Sequence, residues 1–324
     1  MILEIDNFHN ILNPEQRNPE PDAPEHMKSI CILLCTFLLT SCTMNDNSYN
    51  FDLQGHRGAR GLMPENTIPA FLKAMDLGVD TIELDLVVTA DGRILVSHEP
   101  WFSHLFTTRP DGEPVTEEEE RSLNIFNMTF EETQQYDVGK RVNPNFPNQE
   151  TMEVTKPLFS EAVRTIEQYA EENNFPKPFY NIETKSNPEF YGEMVPQPEE
   201  FARLLYEELT QLDSQLGVAE RIIVQSFDPR TLIEFRKLNS AIPLAMLVSD
   251  QRPMQEYISR LGFTPEIWSP NYRLVTPEMI AEARERGMLV IPWTINRVDE
   301  MRRLLMMGVD GIITDYPDSA AVLR

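Results

Sequence analysis

Residues 55–61, which read GHRGARG, carry residue types that suit an anionic ligand. One histidine and two arginines stand among glycines, which resembles a phosphate-binding loop without the lysine and hydroxyl of a P-loop. Gly55 and Gly58 allow the backbone to turn sharply. Arg57 offers a planar, permanently charged fork of donors for phosphate oxygens. The loop therefore predicts a local concentration of cations for a small anionic substrate.

The triplet Glu83-Leu84-Asp85 is the second stretch with clear chemistry. Residues two apart on a strand point the same way, so the two carboxylates are expected to lie together. Buried anions repel each other, and a hard divalent cation such as Mg²⁺ or Ca²⁺ removes that repulsion. Glu183 at the end of a later strand is the expected third ligand. The alternative is a structural ion-pair network that would involve Arg57, Arg60 and Lys185.

His98 is predicted to lie near the same carboxylates. The Asp91-Gly92 pair between two β-rich arms is a strong signal for a two-residue hairpin loop. If Ala90 pairs with Arg93, then Asp85 pairs with His98, although a bulge could shift this register by one residue. Two histidines, three carboxylates, an arginine and a lysine in one place indicate metal-assisted phosphoryl chemistry.

The elements that must position these side chains alternate between strands and helices after residue 50. About eight strand–helix units in this length match a (β/α)8 barrel, whose sites form at the carboxyl ends of its strands. A doubly wound open sheet is the second choice. The strands are predicted at 51–56, 81–87, 179–183, 222–226, 244–248, 267–269, 289–293 and 311–314. Helices are predicted at 67–77, 159–173, 199–212, 231–238, 277–286 and 298–306.

Residues 99–156 interrupt this alternation with an acidic run, many Asn and Pro, and little strand pattern. An insertion of this size after the second strand is expected to form a lid or small subdomain on the catalytic face. His104 lies within it and is expected to be an ordinary surface or lid residue.

Length and charge limit the classes of function. The chain has 324 residues, 41% of them hydrophobic, which is enough for one large core. The 52 Asp and Glu against 28 Lys and Arg give a formal charge of -24. Such an excess of negative charge argues against a nucleic acid partner.

The segment 27–42 reads MKSICILLCTFLLTSC and contains all three cysteines of the chain. Its apolar run is too short to span a bilayer comfortably, and its basic start fits a secretory signal. The ending Leu-Thr-Ser-Cys resembles a bacterial lipoprotein signal, in which Cys42 carries the lipid. The alternative is a buried helix in a cytoplasmic protein. The expected organisation is a mis-start or disordered extension at 1–26, a signal peptide at 27–41, a linker at 42–50 and the barrel at 51–324.

We therefore expect a lipoprotein of a bacterial cell envelope, facing the periplasm or on the outer membrane. Its N-terminal lipid would be its only membrane contact.

The motifs described above occur together in one order, and as a set they resemble the glycerophosphodiester phosphodiesterase family. The resemblance covers nearly all of the chain after Phe51. The motifs are His56-Arg57, Pro64-Glu65-Asn66-Thr67, Glu83-Leu84-Asp85 with the hairpin to His98, Glu183 and Lys185, Pro292-Trp293-Thr294-Ile295-Asn296 and Gly311-Ile312-Ile313-Thr314-Asp315.

This resemblance implies a (β/α)8 barrel with one divalent cation, Ca²⁺ or Mg²⁺, held by Glu83, Asp85 and Glu183. It implies that His56 and His98 act as general acid and base. The implied reaction is hydrolysis of a small glycerophosphodiester, such as glycerophosphocholine, to glycerol 3-phosphate and an alcohol.

Other motif residues are expected to bind substrate or to support the loops. Arg57 and Lys185 are expected to bind the phosphate, and Trp293 to form an apolar wall beside the substrate or, alternatively, part of the barrel core. Glu65 and Asn66 are expected to stabilise the loop and cap the helix that starts near Thr67. Asp315, which precedes Tyr316-Pro317, is expected to be a turn residue.

Two alternative functions remain open. A lysophospholipase D or sphingomyelinase D-like enzyme would use the same metal and histidine arrangement, with an apolar cleft beside residues 99–156. The polar composition of that segment favours deacylated diesters instead. A lipoprotein that binds phosphorylated ligands without turnover is the other alternative. The sequence leaves the oligomeric state open.

Overall fold

The computed structural model describes residues 49–324, and nine strands in this range form one sheet. Strand β2 is buried along its whole length, as expected for a strand covered on both faces. The strands are β1 (Asp52–Gly55), β2 (Thr81–Val88), β3 (Ile94–Val96), β4 (Phe179–Thr184), β5 (Ile222–Ser226), β6 (Leu244–Val248), β7 (Ile267–Pro270), β8 (Leu289–Val290) and β9 (Gly311–Thr314).

Eight of these strands are parallel and follow the order β8-β7-β6-β5-β4-β2-β1-β9, with β3 antiparallel to β2. The two ends of this sheet approach each other through backbone hydrogen bonds. Asp310 N donates to Val290 O at 2.9 Å and Ile313 N donates to Pro292 O at 3.0 Å. The strands therefore form a nearly closed barrel. The (β/α)8 prediction is confirmed, and the open doubly wound sheet is excluded.

Helices connect the strands in the expected alternation. They are α1 (Ile68–Asp76), α2 (Phe130–Thr133), α3 (Phe159–Asn173), α4 (Pro198–Leu216), α5 (Pro229–Leu238), α6 (Met254–Leu261), α7 (Pro277–Glu285), α8 (Val298–Met307) and α9 (Pro317–Ala320). Short 3-10 helices lie at Glu120–Ser122, Ile125–Asn127, Pro188–Phe190, Ala219–Arg221, Tyr272–Leu274 and Ala321–Leu323. The six predicted helices are all present, with ends displaced by no more than about one turn.

Helix α6 lies outside the predicted set. Its buried residues Met254, Tyr257 and Leu261 have helical spacing, and Gly262 ends the helix in the left-handed region with φ 75°. Both signals are present in the sequence, but eight residues give a short pattern.

Strand β8 is shorter than the predicted 289–293. It ends at Val290, and beyond that residue Ile291 N and Trp293 N still donate to Trp268 O and Pro270 O at 3.1 Å, while Pro292 has no N–H to donate.

The predicted pairing of Asp85 with His98 is wrong by one residue. Leu86 pairs with Val96, and Ser97 N donates to Asp85 O at 2.9 Å. The loop has three residues, 90–92, because Thr89 N donates to Arg93 O at 3.0 Å. Gly92 takes φ 72°, the left-handed conformation that a three-residue hairpin loop requires. His98 therefore follows the hairpin instead of pairing with the carboxylate strand.

Residues 99–156 form an ordered subdomain. Their apolar side chains pack against the back of the β2–β3 hairpin in one cluster with Val87, Leu95, Phe102, Phe106, Ile125, Val138 and Leu158. A later part of the segment binds the loop after β1. Gln149 Nε2 donates to Met63 O at 3.0 Å, and Glu150 N donates to Leu62 O at 2.8 Å. The insertion thus contacts two of the loops that carry the predicted site.

Residues 51–322 form one compact unit. Within residues 49–324 there is no helix of sufficient length and apolarity to span a bilayer. The predicted extension at 1–26, the signal peptide at 27–41 and Cys42 all lie outside the described residues.

Candidate active site

Sheet register brings the predicted acidic residues together. Asp85 on β2 is the direct partner of Glu183 on β4, and Glu183 is the partner of Gln225 on β5. Glu83 lies two residues before Asp85, so its side chain points to the same side. Ligand oxygens of Glu83, Asp85 and Glu183 all lie within 4.8 Å of one another, and all three residues are buried.

The acidic cluster has the chemistry of a divalent cation site. Its donors are hard carboxylate oxygens, and Asp85 Oδ1 is buried and accepts no hydrogen bond among residues 49–324, with the Lys185 ammonium 3.5 Å away. A buried acceptor without a partner is unfavourable unless a cation or donor meets it. Glu83, Asp85 and Glu183 could therefore hold a divalent metal ion.

The electrostatics of the cluster support this reading. Burial and the neighbouring Asp85 and Glu183 carboxylates raise the pKa of Glu83 well above its usual value. Burial, together with Asp85, raises the pKa of Glu183 to about 7 although Lys185 opposes the change. Burial would also raise the pKa of Asp85, but Lys185, His98 and Arg57 hold it well below its usual value. Without a cation, three full negative charges are therefore unfavourable here at neutral pH.

A buried polar network fixes the orientation of Glu83. Gln225 Nε2 donates to Glu83 Oε1 at 2.8 Å, and Gln225 Oε1 accepts from Asn181 Nδ2 at 3.1 Å. Asn181 Nδ2 also donates to Gln54 Oε1 at 2.8 Å. The sequence analysis assigned no role to these residues, although Gln54, Asn181 and Gln225 interrupt otherwise apolar strands.

Arg57 binds the acidic residues from the loop after β1. Its backbone N donates to Glu83 Oε2 at 2.9 Å. Its guanidinium contacts Glu65 Oε1 at 2.6 Å and lies 3.3 Å from Asp85 Oδ2. Burial disfavours this charge, but Glu65 and Asp85 raise the pKa of Arg57 above its usual value. Arg57 is thus a fixed cation beside the cluster. Its backbone adopts the left-handed conformation, with φ 50°.

Glu65 and Asn66 hold this loop in place. Glu65 Oε2 lies 2.8 Å from Arg60 Nε, so its carboxylate joins Arg57 to Arg60. Asn66 Nδ2 donates to Asp85 Oδ2 at 2.8 Å. The cap of α1, however, is Thr67, which accepts from Ala70 N. Asn66 therefore orients a predicted metal ligand and does not cap the helix.

His56 forms a buried pair with Asp315. Its Nδ1 lies 2.6 Å from Asp315 Oδ1, while Asp315 Oδ2 accepts from Asn296 Nδ2 at 2.7 Å. Burial lowers the pKa of His56 although Asp315 opposes the change. Burial would raise the pKa of Asp315, but His56 and Arg60 lower it to about 2. Asp315 was predicted to be a turn residue, but its carboxylate binds the imidazole of His56.

The pairing of His56 with Asp315 follows from closure of the barrel. Gly55 on β1 is the direct partner of Thr314 on β9, so the residues after the two strands are neighbours. Asp315 stands immediately after the last strand, as His56 does after the first. The position of both residues directly after a strand was the sequence signal from which their pairing could have been predicted.

His98 forms the second histidine–carboxylate pair. Its Nδ1 lies 2.5 Å from Glu99 Oε1. Burial lowers the pKa of His98, and the charges of Arg57 and Lys185 lower it further. Burial would raise the pKa of Glu99, but His98 and Arg57 hold it below its usual value. Each imidazole thus has its Nδ1 bound to a carboxylate, an arrangement that fixes the orientation of the ring. The prediction did not name Glu99.

Lys185 also lies beside the acidic cluster. Its Nζ lies 2.7 Å from Glu183 Oε1 and 3.5 Å from Asp85 Oδ1. The two carboxylates raise the pKa of Lys185 above its usual value although burial opposes the change. Lys185 is therefore a second fixed cation beside the cluster.

Trp293 and His104 make other contacts, and the role predicted for Trp293 beside the substrate stays a prediction. Trp293 Nε1 donates to Ser269 O at 2.9 Å, and its ring contacts that of Phe227 edge to face. Trp293 lines a cavity of about 370 Å³ with residues such as Asn271 and Arg297. His104 Nδ1 lies 2.7 Å from Glu120 Oε2 within the insertion.

A cleft of about 820 Å³ opens from the site. His98, Glu99, Glu183 and Lys185 line it. The remaining lining side chains are a mixture of apolar and polar groups. The apolar ones are Pro100, Trp101, Pro188, Phe190, Phe227, Pro229 and Ile233, and the polar or charged ones are Ser186, Asn187, Asp228, Arg230, Arg252 and Arg260.

Residues 56–319 match the glycerophosphoryl diester phosphodiesterase family. The chain belongs to this family. A glycerophosphodiester phosphodiesterase of Bacillus altitudinis is 31% identical over 273 residues, which cover 83% of this chain and 96% of that protein. A Silicibacter pomeroyi protein assigned to the same family is 29% identical in sequence, and its crystal structure matches this one with a TM-score of 0.74. The alignment covers 85% of this chain and 93% of that protein.

A phosphodiesterase of Oleispira antarctica, solved in complex with the product sn-glycerol-3-phosphate, has the same fold. It is 22% identical with a TM-score of 0.65, and the alignment covers 84% of this chain and 97% of that one. The family match makes this chain a phosphodiesterase, which confirms the prediction of an enzyme.

We expect Asp315 to stabilise this phosphodiesterase in a pH-dependent way. The pKa of Asp315 is about 2 in the folded protein, below that of an unfolded chain. Its ionised form therefore stabilises the fold above pH of about 4, and the contribution disappears as the pH falls through about 2. Asp315→Asn should lower the free energy of unfolding by about 2 kcal/mol at pH 7, and by less at pH 3.

Urea unfolding at both pH values measures this difference. Asp318→Asn, in an exposed position of the same segment, is the matched control and should leave the free energy of unfolding within about 0.5 kcal/mol of the wild type. A loss in Asp315→Asn that is equal at pH 3 and pH 7 would contradict the ion pair.

Proposed function

We propose that this phosphodiesterase hydrolyses glycerophosphodiesters to sn-glycerol 3-phosphate and an alcohol, with a divalent cation at Glu83, Asp85 and Glu183. The observation that carries the proposal is the pairing of both histidines with carboxylates, next to an acidic cluster and two fixed cations. A protein that only binds phosphorylated ligands has no need of two oriented imidazoles.

The carboxylates of Glu83, Asp85 and Glu183 would hold the cation, either Ca²⁺ or Mg²⁺. When bound, such an ion supplies a Lewis acid that offsets negative charge on phosphate oxygens. Lys185 would contribute a further positive charge from the opposite edge of the cluster, and Arg57 from the loop after β1.

His56 and His98 would divide the proton transfers. One Nε2 removes a proton from the attacking oxygen, which belongs to water or to the neighbouring glycerol hydroxyl. The other Nε2 donates a proton to the leaving alkoxide. Asp315 and Glu99 keep each ring oriented, with Nδ1 bound and Nε2 directed away from the carboxylate. Burial lowers the pKa of both histidines and so favours the neutral ring that a general base requires.

Hydrolysis of glycerophosphocholine and glycerophosphoethanolamine, followed by release of glycerol 3-phosphate, tests the proposal. His56→Gln and His98→Gln should each lower kcat by about 10²- to 10⁴-fold, because each removes one proton-transfer group. His104→Gln is the matched control and should retain the wild-type rate. Near-native turnover in both folded active-site variants would show that the histidines do not carry the chemistry.

Binding of the cation can be measured without turnover. Ca²⁺ or Mg²⁺ added to EDTA-treated protein should stabilise the fold by about 2.7 kcal/mol at 100 times Kd. The stabilisation should disappear in Glu183→Gln but persist in Glu189→Gln, which changes an exposed acid nearby. Thermal unfolding with each metal measures the effect. Equal stabilisation of the two variants would place the ion elsewhere.

A lysophospholipase D is the second candidate, because large apolar side chains line the same cleft as Lys185. Trp101, Phe190 and Phe227 are among them, and such side chains could bury part of an acyl chain. The prediction from composition favoured deacylated diesters. Lysophosphatidylcholine in the same assay separates the two: a higher kcat/KM for the lysolipid than for glycerophosphocholine would favour the second candidate.

We further propose that Cys42 is lipidated and anchors the enzyme to a bacterial cell envelope. The support is the apolar segment that ends in Leu-Thr-Ser-Cys. The native protein should carry an acyl mass on an N-terminal Cys42, and Cys42→Ala should move it from the membrane to the soluble fraction. Mass spectrometry and fractionation measure this. An unmodified cysteine together with unchanged fractionation would contradict the anchor.

A further inference from the structure

Arg230 is a cation of the active-site cleft that the catalytic scheme does not use. It lines the same cavity of about 820 Å³ as His98, Glu183 and Lys185. Its side chain is 50% exposed, so a ligand in the cleft can reach it. The chain as a whole carries a formal charge of -24. A guanidinium group in the cleft therefore attracts anions locally, against the field of the whole protein.

Asp228 holds the guanidinium of Arg230 by one edge. Arg230 Nε donates to Asp228 Oδ1 at 2.8 Å. The other oxygen, Asp228 Oδ2, accepts from Ser186 Oγ at 2.8 Å and from the hydroxyl of Tyr191. Asp228 is 3% exposed and Ser186 is 8% exposed, so the carboxylate that anchors Arg230 is itself fixed and buried. Because Ser186 directly follows Lys185, these bonds connect Arg230 to the segment that carries Lys185.

The ring of Tyr191 supports the same guanidinium group. Arg230 Cζ lies 5.2 Å from the centroid of this ring. Within residues 49–324, the two terminal nitrogens of Arg230 donate no hydrogen bond. A guanidinium that is bound at Nε and packed on a ring loses little conformational entropy when it binds a ligand. Its terminal N–H groups are therefore preorganised to bind a carboxylate or a phosphate with two parallel bonds.

Two further arginines add positive charge to the cleft. Arg252 and Arg260 also line it. They pair with Asp250 and Glu256, and these two acids lie outside the lining. The lining thus contains both cations without the carboxylates that pair with them. This arrangement favours an anionic ligand over a neutral or cationic one near Arg230.

We propose that Arg230 binds an anionic group on the alcohol part of the substrate, so that the enzyme prefers diesters whose alcohol carries a carboxylate or a phosphate. The inference rests on the proposed function, which places the phosphodiester group beside Glu183 and Lys185. The glycerol part has only hydroxyl groups, so a second anion in the cleft must belong to the alcohol.

Two matched pairs of diesters test the proposal. Glycerophosphoserine differs from glycerophosphoethanolamine by one carboxylate, and glycerophosphoinositol 4-phosphate differs from glycerophosphoinositol by one phosphate group. In at least one pair, the anionic member should have a kcat/KM about 10-fold higher, because it gains hydrogen bonds to a charged donor. The pair that shows the preference identifies the preferred anion as a carboxylate or a phosphate.

Arg230→Gln should remove this preference, because glutamine lacks both the charge and the fork of donors. The ratio of the two kcat/KM values should fall below about 2-fold. This ratio does not depend on the fraction of folded enzyme. Arg203→Gln is the matched control and should keep the wild-type ratio, since Arg203 is also 50% exposed and pairs with a carboxylate, that of Glu207, away from the cleft.

Equal kcat/KM values within both pairs would overturn the proposal. A ratio that stays unchanged in Arg230→Gln would overturn it as well, because another group would then recognise the anion.

Calorimetric titration measures the preference without turnover. In His56→Gln protein with Ca²⁺ or Mg²⁺ present, the anionic member of one pair should bind with a Kd about 10-fold lower than its partner. Adding Arg230→Gln should remove the difference. Selective binding without hydrolysis of any diester by the wild type would support the anion site and sink only the proposed function. Hydrolysis of all four diesters with equal kcat/KM would overturn the anion site and leave the proposed function intact. Absence of both binding and hydrolysis would overturn both.

Discussion

The mutual repulsion of three buried carboxylates is the constraint on which the rest of the site depends. Backbone pairing places Asp85 opposite Glu183, and the two-residue period of β2 adds Glu83 to the same side. The neighbouring side chains compensate this negative charge. Arg57 and Lys185 supply cations, while Asn66 and Gln225 donate to individual oxygens. A divalent ion would complete the compensation.

The two histidine–carboxylate pairs are built differently, and the difference reflects the barrel. His56 and Asp315 are far apart in sequence but follow neighbouring strands, β1 and β9, so closure of the sheet joins them. His98 and Glu99 are consecutive, and the β2–β3 hairpin carries both to the same site. One pair therefore depends on the whole barrel being formed, whereas the other depends on one hairpin and its support.

That support is the insertion at residues 99–156, which contacts both the hairpin and the loop after β1. Its apolar cluster packs on the hairpin, and Gln149 and Glu150 bind the loop after β1. Lys156 ends the segment with its ammonium group near the Phe102 and Phe106 rings. The insertion thus touches the loops that carry both histidines, and its removal would expose the apolar back of the hairpin to water.

The sequence alone determined the features that rest on local pattern: the barrel, the six named helices, the acidic triplet and the family, since strand periodicity and ordered motifs survive without coordinates. The tertiary structure decided what depends on strand ends and loop geometry. The hairpin register moved by one residue because Gly92 extends the loop to three residues, and β8 ended at Val290 instead of residue 293. Asp315 became a neighbour of His56 only through folding, because closure of the sheet brings together the residues that follow β1 and β9, whereas Glu99 already adjoins His98 in the sequence.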